Sequence, residues 1–243
     1  MIKFFRKIRQ KLLSENKFSK YLIYAIGEIV LVVIGILIAL QINNWSENRK
    51  SSKIRNNYYK QVLQDLAKDT IYINRYNIFL DSSLSKYQNY LEKLPEAESI
   101  NDVLPLIGTL DSEFGYINFN TNTIKSLIST GDIKLMPDKI RNSLLDLKTN
   151  QDVIIKTTSG NNDVYLKDIQ KAVGLGTINY ILNIEPKLLN QLIREQDIIS
   201  SINIANGSFR LKDYTEKNLL KEMQNLLQST KELSELINEE LNK

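Results

Sequence analysis

The chain has 243 residues, 42% of them apolar and 25% charged, with a net charge of +4. That is enough chain for one or two domains with a proper core, and nine Gly and four Pro are too few for the turns of a β-sandwich or barrel. With no Cys and no His, disulfides, thiolate or imidazole metal ligands, cysteine nucleophiles and a histidine base are all excluded. An all-α, non-enzymatic protein without a cofactor is the expectation.

Residues 1–20 carry seven Lys/Arg against Glu15, a local charge of +6. Ile2, Phe4, Phe5, Ile8, Leu12 and Leu13 recur there at helical spacing, with Lys3, Arg6, Lys7, Arg9 and Lys11 between them. This is the pattern of a basic amphipathic helix lying on an anionic membrane surface, and equally of a topology signal that happens to be helical.

Residues 21–42, YLIYAIGEIVLVVIGILIALQI, form the next segment. Its 22 residues span about 33 Å as a helix, matching a hydrocarbon core of ~30 Å. Its only charge is Glu28, and Tyr21, Tyr24 and Trp45 stand where interfacial aromatics belong. A buried soluble helix would not be apolar on every face. A cleaved signal peptide would have a shorter apolar run and an A-x-A site. The segment reads as an uncleaved signal anchor.

Residues 43–60 carry five Lys/Arg against Glu47, whereas residues 61–243 sum to −5. Basic charge thus flanks the apolar segment instead of covering a folded face, which argues against nucleic-acid binding. The richer N-terminal flank places the N-terminus in the cytoplasm and the rest outside. In a Gram-negative cell this means an inner-membrane protein with a periplasmic domain. The organisation expected is a basic segment 1–20, a transmembrane helix 21–42, a helical juxtamembrane linker 43–53 and an extracytoplasmic helical domain 54–243.

The opening stretch, with its FFRKIR start and GEI..V.IGILIALQINNW segment, resembles a family of uncharacterised single-pass membrane proteins from Bacteroidota. Ser126–Leu147, SLISTGDIKLMPDKIRNSLLDL, resembles it too. The resemblance implies a membrane anchor with a helical extracytoplasmic region and brings no activity with it.

No Gly or Pro lies between Gly35 and Pro95, and apolar residues from Ile54 to Leu94 recur three or four apart. The transmembrane helix is therefore predicted to continue as one rod of roughly 75 residues, with Asn43 and Asn44 as an interruption point and Pro95 as its end. Short helices are predicted over 100–110 and 121–130, separated by a turn-rich passage, Ser112–Asn120. Gly131 is placed as a C′ glycine and Pro137 at N1 of a helix reaching Ala172, with a weak spot at Gly160. Gly174 and Gly176 make a loop and resemble no phosphate cradle, since no Gly-Lys-Ser/Thr follows. Pro186 opens a further short helix. The last helix covers about 197–241, with a break at Gly207 and heptad character in its final thirty residues. Packed antiparallel to the helix at 54–94, it completes an elongated antiparallel bundle and returns the C-terminus toward the membrane.

Candidate chemistry is sparse. Ser83-Leu84-Ser85-Lys86 matches the S-x-x-K of penicillin-binding proteins, but no K-T-G follows. Asp111 with Glu113, Asp132 with Asp138, and Glu239 with Glu240 read as helix caps or solvated pairs. Tyr58, Tyr59, Tyr72, Tyr76, Tyr87 and Tyr90 sit at helical spacing, which makes them core residues before it makes them a stacking surface. Glu28 stands apart, because an intramembrane carboxylate costs a few kcal/mol unless paired, protonated or hydrated. It shares a helix face with Gly35 and Ala39, a small-xxx-small pair that lets helices approach. Three roles are open to it: reaching water or a basic residue at the inner interface, helix–helix association, and proton relay.

The expected partners are the lipid bilayer and either a second copy or another membrane protein; no nucleic acid or small-molecule substrate is anticipated. Two function classes follow. One is a membrane-anchored interaction, scaffold or sensing protein. The other is an accessory subunit of a proton-gradient-coupled complex, sharing only its layout with stator subunits, with Glu28 as the intramembrane acid.

Overall fold

The computed structural model describes residues 18–113, 115–176 and 194–242. Among them it is all-α, with five α-helices and no strand: α1 (Phe18–Lys93), α2 (Ile100–Gly108), α3 (Asn122–Thr130), α4 (Asp138–Gly174) and α5 (Glu195–Leu241). The chain divides into two compact units, residues 1–56 and 57–243.

The described part of the first unit is the leading portion of α1. It is helical without interruption, and Asn43 and Asn44 do not break it; Asn43 instead donates to the Glu47 carboxylate one turn on, at 3.4 Å. Fifteen large apolar side chains from Leu22 to Ile42 are 47–69% exposed. Burying one such side chain fully is worth ~1.5–3 kcal/mol. Fifteen half-exposed ones in water forfeit on the order of 15 kcal/mol, as much as the whole stability of a typical domain.

The second unit is built on a heptad seam. On α1 the buried positions are Tyr59, Val62, Leu66, Asp69, Ile73, Tyr76, Leu80, Ser83, Tyr87 and Tyr90, alternating steps of three and four. On α4 they run Ile140, Leu144, Leu147, Gln151, Ile154, Thr158, and on α5 Lys212, Glu216, Leu219, Met223, Leu226, Thr230, Leu233, Ile237. A 3.5-residue period keeps one stripe of each helix facing its neighbours. Ser83 pairs with Glu216 and Tyr90 with Asn206, so α5 runs antiparallel to α1. Tyr165 packs on Phe209, and Ser201 donates to the Ala172 carbonyl, so α5 is antiparallel to α4 as well. The three long helices thus form a bundle with α1 and α4 parallel.

Returning from the end of α1 to the start of α4 requires the chain to travel back along α1. The connection does so as a strap. Asp111 meets Lys86, the Gly115 and Tyr116 carbonyls accept from Tyr76 and Tyr72, Asn120 meets Asp69, Thr123 meets Asp65, and Asp132 meets Tyr58. The passage read as merely turn-rich is therefore pinned down its length. Gly115 is required there by close approach, because a Cβ would lie 2.5 Å from the Tyr76 ring.

Helix boundaries follow the local chemistry. Pro95 sits in a short 3₁₀ turn that closes α1. Asp102 accepts the Ser99 backbone N–H at 2.9 Å and caps α2. Gly131 ends α3 in the left-handed conformation, φ 76°. Three expectations need correction. Pro137 is the N-cap of α4 and not its first residue, with an extended ψ of 147°. Gly160 and Gly207 do not weaken or break their helices; both are exposed, and buried neighbours on either side hold the backbone helical. The helix expected at Pro186 lies outside the described residues.

Candidate functional site

Two sets of residues are candidates: those on the apolar part of α1 and a group of polar side chains inside the bundle. In the first set Glu28 and Ala25 are half-buried, whereas Gly35 and Ala39 are exposed. Among the described residues, nothing beyond the chain neighbours and the helix's own backbone lies within 4 Å of where a Cβ on Gly27 or Gly35 would stand. Past the apolar stretch, the Arg49 guanidinium sits 5.7 Å from the centre of the Trp45 ring, a cation–π pair. The basic residues Lys3, Arg6, Lys7, Arg9 and Lys11 lie outside the described residues.

The long apolar helix carries a window of mean hydropathy 2.7, none of it buried. Its length and composition are compatible with a membrane anchor.

The second set interrupts the seam at two levels. At one, the Asp69 carboxylate, 1% exposed, accepts from the Asn120 backbone N–H at 2.9 Å, Asn120 Nδ2 at 2.7 Å and Gln151 Nε2 at 2.9 Å. Burial nevertheless holds its pKa above the usual aspartate value, with the nearby Asp65 charge adding to the rise and the three hydrogen bonds opposing it. At the other level, Lys212 Nζ lies 2.7 Å from Glu216 Oε1 and donates to Ser83 Oγ at 2.9 Å, and Ser83 donates to Glu216 Oε2 at 2.7 Å. All three are more than nine-tenths buried. The ring is closed: the carboxylate takes both protons, and the hydroxyl both gives and receives.

This geometry answers the S-x-x-K pattern. Ser83 and Lys86 are not brought together; Lys86 pairs with Asp111 at 2.8 Å, itself partly exposed. A lysine does reach Ser83, but it is Lys212, from α5, and it donates to the hydroxyl instead of accepting its proton. The base of a serine nucleophile must do the reverse. The arrangement is that of a buried ion pair satisfied by a hydroxyl.

The other candidates resolve as helix chemistry and core. Asp132 accepts from Tyr58 and Thr130, and Asp138 pairs with Arg141 one turn on. Tyr59, Tyr76, Tyr87 and Tyr90 are buried, and Tyr72–Tyr76 and Tyr87–Tyr90 are ring contacts at 5.9 Å. Burial also pushes the Tyr76 and Tyr165 phenols far above their ordinary value. Among the described residues no group of three acidic side chains is placed to hold a metal ion.

Sequence reasoning missed the polar seam, although a signal was there. Asp69 falls between Leu66 and Ile73, Ser83 between Leu80 and Tyr87, and Gln151 between Leu147 and Ile154. Each occupies a position that the three-four alternation reserves for the core.

A model of one protein family, described as a family of unknown function (DUF6090), matches residues 28–206, and the chain belongs to that family. The match covers Glu28 through Trp45 and the Ser126–Leu147 stretch, and it leaves out the basic start. No curated protein and no solved structure matches the chain.

Proposed function

We propose that this DUF6090 protein is a non-enzymatic, single-pass membrane-anchored interaction protein. Residues 21–42 lie in a bacterial inner membrane, the basic segment 1–20 stays on the cytoplasmic surface, and the helical domain from residue 54 onward works in the periplasm as a scaffold or sensing module. Its partners are the bilayer and a second copy or another membrane protein, met through the face that carries Glu28, Gly35 and Ala39.

The observation that supports this reading is the run of fifteen large apolar side chains that find no protein cover. Lipid supplies the cover they lack. Trp45 and Arg49 suit the interface at its end, since an indole and a snorkelling guanidinium prefer the headgroup level. For the interaction role, the support is that the buried Lys212–Glu216 pair and the Ser83 hydroxyl satisfy one another.

The test is extraction of cell membranes with alkaline carbonate, combined with C-terminal reporters. The chain is expected to stay in the pellet, with alkaline phosphatase active and a fluorescent protein dark at its C-terminus. Release of the intact chain, or the opposite reporter pattern, rejects the reading. Cysteines introduced at Gly35 or Ala39 should cross-link to a partner within the membrane.

A second reading draws on Glu28, a carboxylate inside the apolar stretch. There the protein serves a proton-coupled complex and Glu28 carries the proton. Under this reading Glu28→Gln abolishes function without changing assembly; under the first, function survives.

A further inference from the structure

Between α4 and α5, within the second unit, lies an open cleft of about 520 Å³, inside the range of small-ligand sites. We infer that it binds a neutral, polyhydroxylated ligand, of one or two sugar rings. This goes beyond the membrane reading and does not depend on it.

The cleft coincides with an anomaly in α4. Thr157, Thr158, Ser159, Gly160, Asn161 and Asn162 follow one another in the middle of a 37-residue helix, and none is a good helix former. Sterics do not demand the glycine: beyond its own helical turn, a Cβ on Gly160 meets nothing within 4 Å among the described residues. The seam explains Thr158 alone among the fully buried positions. Four of the six, Thr157, Thr158, Asn161 and Asn162, line the cleft. Asn162 donates to the Gly115 carbonyl of the strap at 3.5 Å; a stretch whose other members depart from local propensity without such a reason marks function.

The lining chemistry sets the ligand class. Lys212, Glu216, Lys221 and Glu222 are its charged members, and their charges cancel. Lys212 and Glu216 are already joined at 2.7 Å and buried, and the exposed Lys221 and Glu222 are of opposite sign, so the lining as a whole favours neither an anion nor a cation. What remains is amide and hydroxyl: Asn218 and Asn225 of α5 face the asparagines and threonines of α4 across the opening. Amides and hydroxyls both donate and accept, which matches ligand hydroxyls that do the same. Tyr76 and Tyr165 are buried in the wall, and Tyr214 stands 65% exposed on the rim. The two buried rings close the wall, and the exposed Tyr214 ring offers an apolar face that suits the C–H face of a sugar ring.

The test uses the full chain in lauryldimethylamine oxide micelles, whose headgroup is not a sugar, with maltose and N,N′-diacetylchitobiose as probes in saturation-transfer NMR. Transfer to at least one is expected. In the Asn218→Ala/Asn225→Ala double variant, changed only at exposed positions, affinity should fall about tenfold or more, the scale of lost hydrogen bonds. Gly160→Ala, outside the lining, should raise the unfolding temperature and leave transfer intact. Should the double variant unfold, Thr157→Val replaces it, with the same loss expected. Absence of transfer to both sugars, or equal transfer to wild type and variant, overturns the inference and leaves the cleft as hydrated space.

Discussion

Helix α1 carries two surfaces on one backbone. From Leu22 to Ile42 it is apolar on every side and exposed; from Tyr59 to Tyr90 its buried residues alternate by three and four while the others face water. Both stretches satisfy the same intrahelical hydrogen bonds. The difference lies in the period of the side chains, and period decides what a helix needs around it. An all-round apolar helix needs a continuous apolar medium, whereas a seam needs partners of the same repeat, here α4 and α5.

Charges placed on the two surfaces should break this comparison most strongly. On the proposed reading, Val32→Arg with Ile36→Arg removes the anchor, since each arginine at mid-span costs ~2.5–3.5 kcal/mol. Carbonate extraction should then release the chain, while the circular dichroism melt of the bundle stays unchanged.

Within the bundle the largest effect belongs to the Lys212–Glu216–Ser83 ring. Lys212→Met strands a buried carboxylate and should cost about 3–5 kcal/mol in denaturant unfolding. Replacing all three, with Met at 212 and 216 and Ala at 83, should restore wild-type stability or exceed it, because a packed apolar layer avoids the desolvation of two ions. Retained low stability in the triple variant would mean that the ring does more than satisfy itself.

Leu→Ala substitutions sharpen the contrast with the charge removed. Leu147→Ala, at a 1% exposed seam position, should cost ~2–5 kcal/mol. Leu31→Ala, at 67% exposure, should leave the chemical unfolding of the bundle where it was. Equal effects would dissolve the distinction between the two surfaces.

Much of this was legible in the sequence, for physical reasons. Apolar period and length survive without tertiary information, so the helix through Lys93, its end at Pro95 and the pairing of the last helix against the first could be read. Gly131 was legible because a left-handed C-cap has few alternatives. Gly160 and Gly207 misled because a glycine's cost of about 1 kcal/mol is small beside the packing of a long seam. Local propensity cannot weigh that packing. The strap was illegible for another reason. Its anchors pair Asp65 with Thr123 and Lys86 with Asp111, contacts fixed by the path of the chain and not by any spacing. Ser83 shows the same limit from the other side: the nearby Lys86 suggested a motif, and the lysine that reaches it lies 129 residues away.

The smallest effect concerns Asp69, and its sign follows from its surroundings. The carboxylate has a raised pKa in the fold, chiefly through burial, so the folded chain holds that proton more tightly than the unfolded one. Its contribution is therefore fully present below the unfolded value near 3.9 and is lost as pH rises through the higher folded value. Asp102 and Asp197 act in the opposite sense, their pKa values being lowered by hydrogen bonds from Ser99 and Arg194. Their contributions are lost as pH falls, so a single unfolding curve mixes the two. Asp69→Asn separates them. The new amide oxygen can still accept from Asn120, while its NH₂ would face the Gln151 NH₂. A turn of the Gln151 side chain resolves that clash, since its Oε1 is buried without a hydrogen-bond partner and can accept instead. The variant should therefore be nearly as stable as wild type near neutral pH. The difference between the two unfolding curves should open only in the acid range, wild type gaining relative to the variant as pH falls through the raised folded value toward the unfolded one. A difference that does not change with pH would show that Asp69 titrates as it does in the unfolded chain, despite its burial.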